Sequence, residues 1–436
     1  MATDPTAPRT GGASALGWLG ALPQAAAFQR RPVATLHAHA RSGHDPFELA
    51  TLMAGPAIVV GTPELAYEVM HAAPGLYMAG AANRRILPVL PEGTILTLDG
   101  AEHRARRSAL APLFHGDSLS AMRPIIREIA RAEIDSWPAG KPFEVLPRMR
   151  FMTLCIAARL ILGVEGKPLV GDLERHLSRA LHPYTMLAGI DALARLGPVS
   201  PQAMARRCRA GFARGLADVR AARPDAPRGG PADAVDALCV AAAGEDRLGE
   251  QEIADELFAL LLAGHETTAT AVAWAVEVLA REPATTAALA EEAAVEGRSP
   301  LMDAVISELL RFRPPLMDIV RQIAEPTRLG GHDLTAQALV LITPPLIHQH
   351  VQPTPETFIP ERFRDSRPDP LTWLPFGGGE RRCLGASLAL LELREILSLI
   401  LTRFELRPTR EHPEEARLHG TALIPARGAR IVLQPR

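Results

Sequence analysis

The 436-residue sequence is short of aromatic side chains: 3 Tyr, 4 Trp and 12 Phe make up 4% of it. A core must therefore be built mainly from the aliphatic residues that lift the hydrophobic fraction to 47%. Leu, Ala and Val dominate, and Ala and Leu are the best helix formers. Cysteine is scarce too: Cys155, Cys208, Cys239 and Cys383 lie far apart, with no CxxC or zinc-type spacing. That excludes a disulfide scaffold and a cysteine zinc site, and it suits a reducing compartment. Cys155 and Cys239 sit in apolar helical surroundings and read as small buried hydrophobes. Neither sign of charge is in excess, since 47 basic and 49 acidic residues leave a net charge of −2. A strongly basic nucleic-acid face is thereby excluded. No stretch has the uninterrupted apolar length of a membrane span. Ala13 to Phe28 is too short, is interrupted by Pro23 and Gln24, and has only Arg9 before it, so it makes a poor signal peptide. These features predict a cytoplasmic protein with no membrane anchor and no nucleic-acid partner. Residues 1–32 read as a partly ordered lead-in and 33–436 as one domain.

What is present is helical patterning. Segments 101–111, 122–136, 150–163, 171–183 and 202–222 carry mixed apolar faces. The run Arg223 to Asp233 is a loop by its Pro, Gly and Asp content. The longest signal covers Glu250 to Arg281, apolar nearly all round at its middle and therefore buried. A further helix, Leu301 to Phe312, is stopped by Pro314 and Pro315. β signals follow at Arg328–Leu329, at the Gly330–Gly331 turn and at Ala338 to Thr343. A last long helix spans Ala386 to Phe404, and Thr421 to Leu433 reads as a hairpin about Arg427–Gly428. The fold class is mainly α with a small β component.

Four constellations carry chemistry. The first is Phe376-Gly377-Gly378-Gly379-Glu380-Arg381-Arg382-Cys383-Leu384-Gly385, leading into a helix. A thiolate that faces a metal needs a lowered pKa, which a helix N-terminus and nearby cations supply. It also needs N–H groups aimed at sulfur and room for a flat ligand, which Gly379 and Gly385 permit by lacking a Cβ. The second is Ala263-Gly264-His265-Glu266-Thr267-Thr268, midway along the long helix. Small residues there let a flat cofactor and a diatomic ligand approach the backbone. Thr267 is one turn after Ala263, so its hydroxyl can bond back to that carbonyl. An acid beside an alcohol in an apolar helix is costly unless it has a use, and proton delivery is one. The third is Glu308-Leu309-Leu310-Arg311, an i, i+3 pair on one helix face, with Pro360-Glu361-Arg362-Phe363 downstream. The fourth is a set of basic groups: His103 and Arg107 at i, i+4, together with Arg321 and Arg381. Arginine forks pair carboxylates bidentately.

The cysteine string resembles the F-x-x-G-x-R-x-C-x-G haem-ligand loop of the cytochrome P-450 superfamily, and the other motifs follow in that family's order over roughly residues 45 to 436. The resemblance implies a haem b held between the long helix and the cysteine-loop helix, with Cys383 as axial iron ligand. A thiolate there pushes electron density onto iron and favours O–O cleavage. Phe376, Gly377, Arg381 and Gly385 would border the haem on the cysteine side, and Ala263 and Gly264 on the long-helix side. His103, Arg107, Arg321 and Arg381 would serve as cations for the propionates. The segment around Thr267 resembles the family's A/G-G-x-D/E-T motif, which implies that Thr267 holds water and protons, that Glu266 helps relay them, and that His265 points away without a role. Glu308, Arg311 and Arg362 would form a buried network holding the cysteine loop. Arg104, Arg106 and Arg382 are left as surface charges, part of a basic patch for an acidic electron donor. The stretch His348-Gln349-His350-Val351-Gln352-Pro353 departs from the family's H-x-D-P and makes a shorter approach to P-E-R-F.

The implied activity is monooxygenation: O₂, two electrons and two protons oxidise an apolar small molecule. No GxGxxG follows a strand and no flavin or Fe–S set occurs, so electrons are expected from a separate ferredoxin or flavodoxin with its reductase. Leu316, Met317, Thr421 and Ala422 are candidate substrate contacts. Their apolar setting suggests a terpenoid, fatty-acyl or polyketide-like substrate of secondary metabolism. Two other readings stand beside this one: a peroxide-driven haem-thiolate peroxygenase and a non-catalytic haem sensor.

Overall fold

The computed structural model describes all residues except 1–14, 42, 44, 52–54, 164–166, 183–190, 222–247, 294–298 and 352. The loop expected at 223–233 and Cys239 lie outside the described residues. Among the described residues helices dominate, and the strands form four small sheets.

The helix expected from Glu250 forms over Glu250–Leu279, and we call it the central helix. Thirty residues at ~1.5 Å rise give ~45 Å. Its start is fixed by Glu252, whose carboxylate accepts the Gly249 N–H at 2.7 Å, the one half of a capping box that a glycine allows. Its middle is buried nearly all round. It packs along Val145–Leu162, a helix that ends at Gly163 in the left-handed region (φ 65°). The helix Pro300–Phe312 begins with the Ser299 hydroxyl accepting Met302 N–H and stops before Pro314–Pro315. The cysteine helix, Ala386–Arg403, packs against both the central helix and Gly116–Ile134. Helices Gly100–Leu110, Lys167–Ala180 and Pro201–Ala221 complete those expected.

The main sheet has five strands in the order β1 (Phe47–Thr51), β2 (Gly55–Val60), β8 (Leu339–Ile342), β5 (Ile319–Ile323) and β3 (Tyr77–Met78). Only β2–β8 is parallel. Side chains alternate between two cores. Ala57, Val59, Leu339 and Leu341 enter one, while Ile58, Val60, Val340 and Ile342 enter the other, as the period of two requires. The β signal on either side of Gly330–Gly331 forms a separate small hairpin, β6 (Thr327–Leu329) with β7 (His332–Leu334). Two helices that precede the main sheet, Ala15–Arg30 and Pro32–Ala40, pack on it: the Ala50 N–H donates to Gln24 Oε1 at 3.2 Å, and Phe28 is buried.

The C-terminal hairpin expected about Arg427–Gly428 is not formed. β11 (Ala422–Pro425) pairs with β10 (Ala416–His419), whereas β12 (Arg430–Pro435) pairs with β9 (Phe404–Pro408) and β4 (Phe143–Glu144). The cause is Glu414, whose carboxylate accepts the N–H groups of Arg427, Ala429 and Arg430. With Gly428 and Ala429 at positive φ, the chain swings between sheets instead of folding back on itself.

Candidate functional site

The cysteine loop is closed locally by the Cys383 N–H, which donates to the Phe376 carbonyl at 2.8 Å. Gly377 and Gly379 take φ of 65° and 62°, the region that glycine enters without strain. A Cβ on Gly379 would stand 2.5 Å from the Met70 carbonyl oxygen. The close approach that Gly379 permits is therefore to protein backbone, not to a flat ligand as the sequence suggests. Gly385 fits that role better, because a Cβ built there meets nothing within 4 Å.

Cys383 lies at the foot of the cysteine helix, and its surface is accessible although the groups around it are close-packed. Burial pushes its thiol pKa up, against the Gly385 N–H and the charges of Arg382 and Arg107, which pull it down. Among the protein's own groups, desolvation outweighs the helix end and the cations. A positive metal centre facing the sulfur would reverse that balance.

On the central helix, Ala263 and Gly264 are exposed within a middle stretch that is otherwise largely buried, and a Cβ on Gly264 would meet nothing within 4 Å. Thr267 Oγ1 donates to the Ala263 carbonyl at 2.8 Å. Glu266 faces elsewhere: Arg150 Nε donates to its Oε2 at 2.7 Å, and Arg150 Nη2 to its Oε1. His265 is buried, with Nδ1 on the Leu261 carbonyl at 2.7 Å, and burial lowers its pKa. It is a satisfied packing residue. The Thr153 hydroxyl donates to the His265 carbonyl at 2.9 Å and ties the central helix to Val145–Leu162.

The third group is assembled as the spacing predicts. Arg311 donates to both Glu308 oxygens at 2.7 Å and to the carbonyls of Pro355 and Thr357. The Ile359 N–H donates to Glu308 Oε1 at 2.8 Å, and Arg362 Nε lies 3.4 Å from that oxygen. Arg362 Nη2 donates to the Thr354 carbonyl at 2.7 Å. His348 opens the stretch that departs from the family pattern. It is buried and bonds both the Arg311 carbonyl and the Leu374 N–H, at 2.9 Å each. Burial lowers its pKa to about 3. One imidazole thus bolts the Arg311 helix to the segment that leads into the cysteine loop.

The fourth group gathers from three elements. Arg321 is buried in β5, and its Nη1 donates to the Val320 carbonyl at 2.8 Å. Burial, with Arg381 nearby, lowers its pKa to about 10. Arg381 pairs with Asp99 at 2.7 Å and donates to the carbonyls of Ile95 and Leu98. Burial, then Arg381 and Arg107, lower the His103 pKa to about 4. Among the protein's own groups the charged form of His103 is thus disfavoured, and its ring N–H remains able to meet a carboxylate. Asp99 was missed by sequence reasoning. Besides Arg381, it accepts the N–H groups of Gly80 and Ala81 at 2.8 Å each. An acid directly before the helix that starts at Gly100 reads as an N-cap, but Asp99 makes no cap bond there and turns to another element instead. Arg106 needs correction. It is ion-paired to the buried Glu256, whose carboxylate also accepts the Ile95 N–H at 3.1 Å, so it is not a free surface charge. Arg104, by contrast, is exposed beside Glu380, and Arg382 is exposed.

The four substrate candidates come together in pairs. Leu316 bridges Ala422, and the Met317 N–H donates to the Thr421 carbonyl at 3.2 Å. Met317 and Ala422 themselves are buried in core packing, which leaves Leu316 and Thr421 with accessible surface.

The fit of a haem is tested by these residues. Among the described residues no three His, Cys, Asp or Glu side chains converge as a metal cage. Cys383 alone could hold iron only if a macrocycle brought the other ligands. Gly264, Gly385 and Ala263 leave space for a flat ring. His103, Arg107, Arg321 and Arg381 act on one another electrostatically, and such a basic cluster can receive two carboxylates. The residues fit the group.

Comparison with known proteins gives the same answer. The cytochrome P450 family model matches residues 11–432. A Mycobacterium tuberculosis protein assigned as cytochrome P450 135B1 is 35% identical over 419 residues, which cover 94% of this chain and 88% of that protein. One assigned as cytochrome P450 137 from the same organism is 33% identical over 390 residues, 88% of this chain and 82% of its own. The retinoic acid-bound cyanobacterial CYP120A1 superposes with a TM-score of 0.78 at 22% identity, covering 92% and 94% of the two chains. A six-coordinated cytochrome P450 from Thermus thermophilus gives 0.73 at 25% identity, covering 92% and 98%. Among the described residues no helix is long and apolar enough to cross a membrane. The chain belongs to the cytochrome P450 family, whose cofactor is haem b.

Proposed function

We propose that this chain is a haem-dependent monooxygenase that places one atom of O₂ into an apolar small molecule of secondary metabolism. The electrons come from a separate ferredoxin or flavodoxin and its reductase. The observation that carries the reading is the pairing of an accessible Cys383 at the foot of the cysteine helix with the exposed Ala263–Gly264 notch of the central helix packed on it. Haem, when bound there, supplies the O₂ and redox chemistry. Cys383 ligates it. Arg107, Arg321 and Arg381 receive its propionates, and His103 adds a hydrogen bond. Phe376, Gly377 and Gly385 border it on the cysteine side.

Thr267 holds a proton-bearing hydroxyl at the notch. Its bond to the Ala263 carbonyl uses the hydroxyl hydrogen, so its oxygen lone pairs remain to accept from water. Glu266 is held by Arg150, so to relay a proton it must first give up part of that pairing. Arg150 thereby decides when the acid is available. Leu316 and Thr421 meet the substrate, while Met317 and Ala422 support them from the core. Exposed Arg104 and Arg382 suit an acidic electron donor.

The test is Thr267→Ala, assayed with reductase, ferredoxin and a substrate found by spin-state screening. A positioned proton donor contributes ~10²–10⁴-fold to a rate. Product per electron should therefore fall at least about tenfold while O₂ uptake continues and peroxide accumulates. Unchanged coupling would remove Thr267 from the reading. Activity with peroxide but none with reductase and O₂ would favour the peroxygenase. Haem and CO binding with no substrate-dependent O₂ uptake would favour the sensor.

A further inference from the structure

Buried carboxylates in this molecule are well supplied with donors. Glu308 has Arg311 and the Ile359 N–H. Glu256 has Arg106 and the Ile95 N–H. Glu414 has three backbone N–H groups, and Asp99 has Arg381 with two more. Glu392 and Asp318 depart from this pattern, since burial alone acts on each. Asp318 Oδ1 is shut off from solvent and has no hydrogen-bond partner, and among the described residues it is the only carboxylate oxygen in that condition. Asp318 as a residue is half-buried, but a buried carboxylate oxygen left unpaired is costly, so it persists only where something offsets the cost.

Asp318 lies between Met317, which is buried in the core, and Ile319, which begins β5. It lines a cleft walled by Phe28, Ile86, Val320, Leu341 and Leu418, with Gln29, Thr51 and Thr421 also on its lining. The walls are mostly apolar, and no charged side chain acts on the acid. Burial alone raises its pKa to about 7. The same short segment carries Arg321 into the basic cluster beside the cysteine loop, and Leu316 and Met317 join it to Ala422 and Thr421. Asp318 and Val320 face the cleft while Ile319 and Arg321, alternating with them, face the cysteine loop, so it is Thr421 that joins the cleft to the substrate candidates.

We infer that Asp318 is the recognition point for a protonated amine on an otherwise apolar substrate. The inference rests on the monooxygenase reading above and gives its substrate a class. A protonated amine offers both charge and an N–H donor to a carboxylate that has neither nearby. A hydrogen bond to a charged group is worth enough to change affinity ~10- to 100-fold. The apolar walls hold the rest of the molecule.

The experiment uses the haem-loaded full chain at pH 7.5 and three probes that share a decyl chain: N,N-dimethyldecylammonium, 1-decanol and decyl methyl ether. The hindered tertiary amine also avoids direct ligation of iron. Dissociation constants are measured by calorimetry for wild type, Asp318→Asn and Asp318→Leu. The expected result is that the ammonium binds wild type at least ~10-fold tighter than the ether, and that Asp318→Leu erases the difference. Asp318→Leu should also melt no lower than wild type, because it removes an unsatisfied group. A preference that survives both substitutions would overturn the inference. So would a larger Asp318-dependent gain for the alcohol, which would assign the site to a neutral donor. The reduced-CO spectrum of each protein is recorded alongside. A thiolate-type band with no amine preference sinks only the role of Asp318, whereas absence of that band sinks the monooxygenase reading itself.

Discussion

The two walls of the candidate site are built differently. The cysteine wall is pinned from several directions. Cys383 is bonded to Phe376, Arg381 to Asp99, the Gly379 backbone rests on Met70, and the Glu308–Arg311 pair and His348 grip the segment leading in. The wall formed by the central helix is held on its far side, where Thr153 takes the His265 carbonyl and Arg150 takes Glu266. On the near side Ala263, Gly264 and Thr267 make only the hydroxyl back-bond. One wall is arranged to fix a ligand atom, the other to leave space and a proton. Substitutions in the first should therefore act through stability and haem retention, and those in the second through coupling of oxygen to product.

The largest effect should come from the cysteine wall. Glu308→Ala leaves the Arg311 guanidinium buried without its counter-charge, and breaking a buried pair costs ~3–5 kcal/mol. We expect a protein that melts well below wild type and loses haem on dilution. A stable Glu308→Ala protein with full haem content would show that the network does not hold the loop. Thr267→Ala, on the other wall, should leave melting nearly unchanged while coupling collapses. A matching loss of stability would erase the distinction between the walls.

A smaller and pH-dependent effect is expected at Glu392, buried on the cysteine helix and raised by burial from an ordinary 4.5 to about 8. A raised carboxyl pKa means that the folded state binds the proton more tightly than the unfolded chain. The stability tied to that proton is complete below pH 4.5 and is lost as pH rises through 8, at up to ~1.4 kcal/mol per pH unit. Glu392→Gln should therefore melt close to wild type at pH 5 and clearly above it at pH 8.5. Equal melting at both would mean that the acid has donors when ionised.

The order of helices was legible because apolar periodicity is local, and the cysteine loop, the Ala263–Thr267 segment and the Glu308–Arg311 pair were legible because each is a contiguous string. What escaped the sequence depends on contacts between distant segments. Asp99, Arg150, Glu256 and Asp318 act on or across other elements, and nothing in their immediate neighbours shows it. The same holds for Arg106, which reads as a surface charge until Glu256 is placed beside it. The expected hairpin at Arg427–Gly428 had correct turn chemistry, but Glu414, 13 residues before Arg427, captures its N–H groups. The desolvation acting on Cys383 and His103 also escapes the sequence, because charge and helix-end effects can be read from spacing whereas desolvation needs the packed fold.

The most direct test of the account is the carbon monoxide difference spectrum of the reduced protein beside that of Cys383→Ser. A red-shifted Soret band in wild type, abolished by the substitution, is the predicted result. A band that is unchanged in Cys383→Ser, or a wild-type spectrum typical of nitrogen ligation, would contradict it.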